Sequence, residues 1–551
     1  MRVRIPILAL IFVLAVALSA WAESISGTYR VTEDGEDRSV EQFTIDWNKD
    51  GSVKAEGNTS HREGEGPKQA QITDVTELRL DAAGALRDYQ RDVYVAGVPR
   101  KLFMKHDGAQ FRVRINTGQG RMERKIGGLP DRLVLDRGVF HHFNLLLHKA
   151  KDDNRLGRTI PYLVPSEFRE GVAYVDDRGN HAAKLGDRWY RARRYFVDLG
   201  DEGLSVWADN EGRVIRVESP MTGILAELKD YRGTVVDPPE PTNVITRAVR
   251  LEKVTFDSVD PAGNVTKLSG LLRKPAAAAP KLPALIFISE TGAHDARGIE
   301  QNSQLDTLSG QLCDAIAEAG FVVLSWDDRG VGGSQGELIA ATLTTHENDA
   351  KAAIKFLKAR QDVDAGAVSA MGLGEGGNVA LRLADEPEVV HKVIALAPSP
   401  VSFTRLAEDQ IRRRLTEEEA TFDEGTIARH PVMMAVEKAR ESKDDFAVIA
   451  GRPVYLNVYR EWDGLDPAAD VQRAKVPVLH LSFGKDRQVF PELTKSMTEK
   501  LAGVRLYTHS ELPELDHFLV ASRGTVGSYA DPDRRVADEA VTTIVRWLLQ
   551  K

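Results

Sequence analysis

From residue 284 to residue 549 short, continuous apolar runs alternate with amphipathic stretches, and few folds can accept that pattern. Strands are expected at 284–289, 321–326, 367–372, 393–397, 477–483 and 504–508. Helices are expected around 305–319, 345–359, from Gly374 onward, after 483, and through 541–549. A strand that is apolar on both faces needs cover on both faces, which a parallel sheet flanked by helices provides. Between 399 and 475 the alternation stops and the pattern turns helical, which predicts a lid of about 400–475 inserted between two sheet strands.

The first part of the chain follows another rule. Residues 23–236 hold short runs rich in Val, Thr, Tyr and Phe, punctuated by turn signals such as Lys49-Asp50-Gly51 and Asn210-Glu211-Gly212. The runs 204–208 and 213–217 flank the last of these and predict a hairpin, so this half reads as a β-rich antiparallel domain. One helix is expected over 138–150, with Val139, Phe143, Leu146 and Leu147 spaced to cover a sheet. His141, His142 and His148 on it lack the i, i+4 partner of an H-E-x-x-H site and are expected at the polar edges of a packing helix. The run Arg412 to Glu419 reads as a solvated helix start, with Thr416 and Glu419 forming a capping box. Asp237-Pro238-Pro239-Glu240-Pro241-Thr242 marks a stiff linker, taken as 237–244, before a second domain over 245–551.

Charge and cysteine content narrow the surroundings. Arg2, Arg4, an apolar run over 5–18 and Ser19-Ala20-Trp21-Ala22 form a secretory signal peptide, with cleavage expected after Ala22. The apolar run is shorter than the ~20 residues of a spanning helix, so no membrane span is expected after processing. The expected location is periplasmic or extracellular. Loss of the leader takes away two arginines and no acid, moving the net charge from −9 to −11 and leaving no electrostatic footprint for nucleic acid. Cys313 is the only cysteine, so no intramolecular disulfide can form. Its place beside Leu312 and Ile316 predicts a small buried residue rather than a nucleophile.

The chemistry-bearing stretch is Gly372-Leu373-Gly374-Glu375-Gly376-Gly377, where a strand should run into a helix. In the G-x-S-x-G elbow that turn lifts a serine hydroxyl above the sheet. Here Gly374 stands at the nucleophile position. Ser369 falls within the preceding strand and cannot replace the hydroxyl. Three further stretches follow expected strands: Ile288-Ser289-Glu290-Thr291-Gly292-Ala293, Asp327-Asp328-Arg329-Gly330-Val331-Gly332-Gly333-Ser334, and the pair Gly484-Lys485-Asp486-Arg487 and Leu515-Asp516-His517. Open α/β sheets gather their sites at the carboxyl ends of strands.

Together these motifs resemble bacterial α/β-hydrolases of the serine esterase and aminopeptidase-like group, over about 245–551. The resemblance implies an α/β-hydrolase fold with a helical lid and a small acyl ester or amide as substrate or ligand, with no cofactor and no metal. It places Asp486 and His517 as acid and base of a triad whose nucleophile position is Gly374. The oxyanion hole would use the backbone N–H of Glu375 with that of Thr291 or Gly292, while the Glu375 side chain turns away from the site. Asp328 and Arg329 would form a supporting loop, held by an ion pair between them. Weak or no serine-type activity is then expected. The space left by the serine would hold a water with His517 as its base, or the scaffold would serve as a non-catalytic binding protein with Phe403, Tyr455, Tyr459 and Trp462 lining a pocket.

Overall fold

The structure, a computed structural model, describes residues 23–63, 70–118, 120–152, 156–239, 248–277, 281–290, 292–301, 306–417 and 422–550. The leader, the linker beyond 239 and Thr291 lie outside the described residues. No described helix is long and apolar enough to cross a membrane.

Strands from Glu23–Glu33 to Val235–Val236 form one long sheet. Its pairings are antiparallel except where Leu133–Val134 runs parallel to Thr159–Val164. Glu23–Glu33 sits in its middle, pairing with Glu36–Trp47 on one side and Ile224–Leu228 on the other. Burial alternates along strands such as Ala70–Leu80, so one face carries a core that includes Tyr29, Ile45, Met104 and Phe111. The expected hairpin is present as Gly203–Ala208 paired with Val214–Ser219.

The helix on this core runs His142–Asp152, starting later than expected because Gly138 turns the chain at φ +73°. Phe143, Leu146 and Leu147 are buried under it. His141 and His142 are not at a polar edge: both are fully buried. His141 Nδ1 lies 2.6 Å from Glu41 Oε1. Gly57 makes room, since a Cβ there would lie 2.5 Å from the His141 ring.

The second sheet has eight strands: β1 (Val249–Val259), β2 (Val265–Pro275), β3 (Leu282–Ile288), β4 (Val322–Trp326), β5 (Val363–Leu373), β6 (Val393–Leu396), β7 (Val478–Phe483) and β8 (Tyr507–Leu512). They are ordered β1-β2-β4-β3-β5-β6-β7-β8. Only β2 opposes the rest; β4, β3, β5, β6, β7 and β8 are parallel to their neighbours. Buried residues divide into two cores, one on each face, with Ala284, Ile286 and Val379 in one and Leu285, Phe287 and Ile316 in the other. This is the doubly covered sheet that the apolar runs demand. Cys313 is fully buried in the second core, where burial pushes its thiol up to about 12.

The insertion between β6 and β7 is less purely helical than expected. It carries the helices Phe403–Glu417, Glu424–Ala428, Pro431–Glu441, Leu456–Asp463 and Pro467–Gln472, together with a small hairpin, Phe446–Ile449 with Arg452–Tyr455. The Arg412 run ends a helix rather than starting one: Thr416 lies inside Phe403–Glu417, and its hydroxyl donates back to the Arg412 carbonyl over 2.8 Å.

The two halves touch behind the β8 end. Thr525 Oγ1 donates to Asp198 Oδ2 over 2.6 Å, and Arg523 pairs with Asp176 at 2.7 Å. Gly203 meets Gly527 so closely that a Cβ there would lie 2.1 Å from the Gly527 carbonyl oxygen.

Candidate active site

The elbow follows β5. Gly374 has φ +55° and ψ −119°, a conformation that costs a residue with a side chain about 1–3 kcal/mol. The helix Glu375–Arg382 starts at once, and Gly376 permits its approach to β3: a Cβ there would lie 2.2 Å from the Ser289 carbonyl oxygen. Asn378 ties the helix to the end of β6 by exchanging two 2.9 Å hydrogen bonds with the Ser399 backbone. The first N–H groups of any helix lack intrahelical acceptors, so the turn after Gly374 offers donors to an oxyanion.

Asp486 and His517 come together from the loops after β7 and β8. His517 Nδ1 lies 2.8 Å from Asp486 Oδ2, while Asp486 Oδ1 accepts the N–H groups of Gln488 and Val489 at 2.7 and 2.8 Å. Both side chains are 1% exposed. Asp516 closes the same loop by accepting the N–H of Phe518 at 3.0 Å and that of Val520 at 3.2 Å.

The other ring nitrogen of His517 is occupied as well. Glu290 Oε2 lies 2.9 Å from His517 Nε2. An ideal Cβ on Gly374 would lie 3.2 Å from Glu290 Cβ, 3.3 Å from Glu290 Oε2 and 3.4 Å from His517 Nε2. The carboxylate oxygen therefore stands where a serine hydroxyl would meet the histidine, and the expected water-holding space is filled by a side chain of this chain. Burial opposes a charged His517, but the carboxylates of Asp486 and Glu290 outweigh it and push the imidazole up to about 10. At neutral pH the ring is an imidazolium between two carboxylates, not a free base.

Glu290 lies in the Ile288 to Ala293 motif, whose pattern alone assigns it no role. The signal in the sequence is an acidic residue directly after β3 in a chain without the elbow serine. Gly292 of the loop after β3 has φ +129°. Asp328 holds the loop, accepting from Ser289 Oγ at 2.6 Å and from the His294 N–H at 3.0 Å. It does not pair with Arg329, which turns to Asp349 at 2.7 Å and so braces the helix Leu343–Lys358.

A cavity of about 400 Å³ opens onto this site. Glu290, Glu375 and Gly376 line one side, and Phe403, Tyr455, Tyr459 and Trp462 of the insertion line the other. Glu375 thus faces the cavity instead of turning away. No Lys or Arg is among the lining residues. A larger cleft, about 1200 Å³, lies between the halves and includes Arg487 and Gln488 but neither Gly374 nor His517. Among the described residues no cluster of His, Cys, Asp or Glu is arranged to hold a metal ion.

The strand order, with an elbow after β5, an acid after β7 and a histidine after β8, defines an α/β-hydrolase. Comparison with known proteins agrees with that fold: residues 264–496 match the family described as X-Pro dipeptidyl-peptidase (S15 family). Esterase EstD of Thermotoga maritima is 24% identical over 319 residues, covering 55% of this chain and 72% of its own. Among solved structures, Est1E from Butyrivibrio proteoclasticus, with ferulic acid bound, is 17% identical and covers 54% of this chain and 96% of its own, with a TM-score of 0.35. An esterase of Pyrococcus furiosus is 15% identical, with coverages of 57% and 94% and a TM-score of 0.36.

Proposed function

We propose that this chain is an exported, periplasmic or extracellular protein of the carboxylic ester or amide hydrolase class whose serine route is closed. One observation carries the reading: His517 Nε2 is engaged by Glu290, and Gly374 offers no hydroxyl to it. Loss of a triad serine costs about 10⁶ in turnover in the subtilisin case, so classical acyl-enzyme chemistry should be weak or absent. The cavity, apolar on its insertion side, suits a small acyl ester or amide with an aromatic or aliphatic body.

A second reading, a non-catalytic binding protein on the same scaffold, is favoured by the aromatic wall of that cavity. Serine-directed fluorophosphonate labelling and turnover of short-chain acyl esters test the first. The wild-type chain should resist labelling, and the Glu290→Gly, Gly374→Ser double variant should be labelled and turn over. A double variant that binds aromatic ligands yet neither labels nor turns over would favour the binding reading.

A further inference from the structure

The geometry points to Glu290 as a general base that activates water for direct hydrolysis of an uncharged or cationic acyl ester, without a covalent enzyme intermediate. This rests on the ester or amide hydrolase reading above and adds to it a reactive group and a substrate charge.

Three observations converge on the carboxylate. Its Oε2 takes the place of the missing hydroxyl, 2.9 Å from His517 Nε2. It lines the cavity, whereas His517 is 1% exposed and is not among the lining residues, so a molecule in the cavity meets Glu290 first. Finally, Asp486 and His517 fix it from behind. With one oxygen committed to the imidazolium, the other faces no hydrogen-bond partner among the described residues and is left to receive a proton. His517 is a positioning residue here, not the group that touches substrate.

The step balances within the site. A water gives one proton to Glu290 while its oxygen bonds to the acyl carbon, and the carbonyl π pair moves onto oxygen, facing the first N–H groups of the helix Glu375–Arg382. The tetrahedral intermediate then collapses: the bond to the leaving alkoxide breaks, and the alkoxide takes the proton back from Glu290. Water and ester become acid and alcohol, and the carboxylate is restored. Glu290 and Glu375 both line the cavity with no Lys or Arg among the lining residues, so an acyl group bearing a carboxylate is repelled.

The test uses the full chain and p-nitrophenyl butyrate. General bases contribute roughly 10²–10⁴-fold, so Glu290→Gln should lower turnover about 100-fold or more. Glu290→Gly should be equally slow and be partly rescued by added formate, which a merely structural role would not show. A single turnover in ¹⁸O-water should put the label in butyrate and none in the Glu290 peptide. Wild-type turnover no faster than that of Glu290→Gln overturns the proposal, as does absence of formate rescue. Label in the Glu290 peptide also overturns it, marking a covalent nucleophile. Failure of the hydrolase reading itself is separate: it appears as a Glu290→Gly, Gly374→Ser double variant that neither reacts with a fluorophosphonate nor turns over.

Discussion

Gly374 and Glu290 share one space: a Cβ on the glycine would stand 3.2 Å from Glu290 Cβ and 3.3 Å from its carboxylate oxygen. The glycine and the carboxylate are therefore coupled, and changing either alone misreads the site.

Gly374→Ser by itself should gain no serine-type activity. The hydroxyl would meet the carboxylate instead of a free histidine, and the φ of +55° adds strain of about 1–3 kcal/mol for a residue with a side chain. Thermal or denaturant unfolding should show that loss, and an ester assay should show no gain over wild type.

Stability should depend on His517 in the alkaline range. Its folded value, about 10, lies above the ordinary 6.5, so its contribution is full below about 6.5 and disappears as pH rises through about 10. The melting temperature of the wild-type chain should fall between those limits more steeply than that of His517→Asn. Equal slopes would mean that the imidazolium is not held between Asp486 and Glu290.

The fold was legible from residue 284 onward because fully buried parallel strands must be apolar throughout. β8 shows the limit of that rule. Tyr507–Leu512 is an edge strand, exposed in part along its length, so the apolar signal lies upstream at 504–508 and does not mark the strand's own bounds. The late start of the helix His142–Asp152 has a local cause in Gly138, and the burial of His141 depends on Gly57, far away in sequence. Asp486 and His517 were readable because each follows a strand end in the expected order. Glu290 was not, because its partner His517 lies 227 residues away and only the folded sheet brings them together.

Asp328 should matter to the loop after β3 and not to the fold at large. It is buried and receives Ser289 Oγ and the His294 N–H, so Asp328→Ala leaves both donors without their acceptor, at a cost of about 1–3 kcal/mol. Hydrogen exchange should rise at Gly292 to His294 and stay unchanged in the core of β6.

Charge should decide what enters the cavity. A neutral aromatic ketone such as benzyl methyl ketone should raise the melting temperature, and phenylacetate of similar size should not. Tyr459→Ala should reduce the ketone's effect, because Tyr459 lines the insertion side of the cavity. Glu290→Gln should let phenylacetate bind. Equal shifts from acid and ketone in the wild-type chain would argue against an acidic cavity floor.

The first half of the chain backs the His517 loop through Asp198 and Thr525. Asp198→Ala removes the 2.6 Å hydrogen bond from Thr525 and should loosen residues 522–528 with little effect on the sheet to which Asp198 belongs. Proteolysis should then cut within that loop sooner than in wild type.

The most direct test is intact-mass labelling by a fluorophosphonate of three proteins: wild type, Gly374→Ser, and Glu290→Gly with Gly374→Ser. If Glu290 occupies the nucleophile's place, the double variant gains one adduct at position 374 and the other two proteins gain none. Labelling of Gly374→Ser as fast as the double variant would contradict the account.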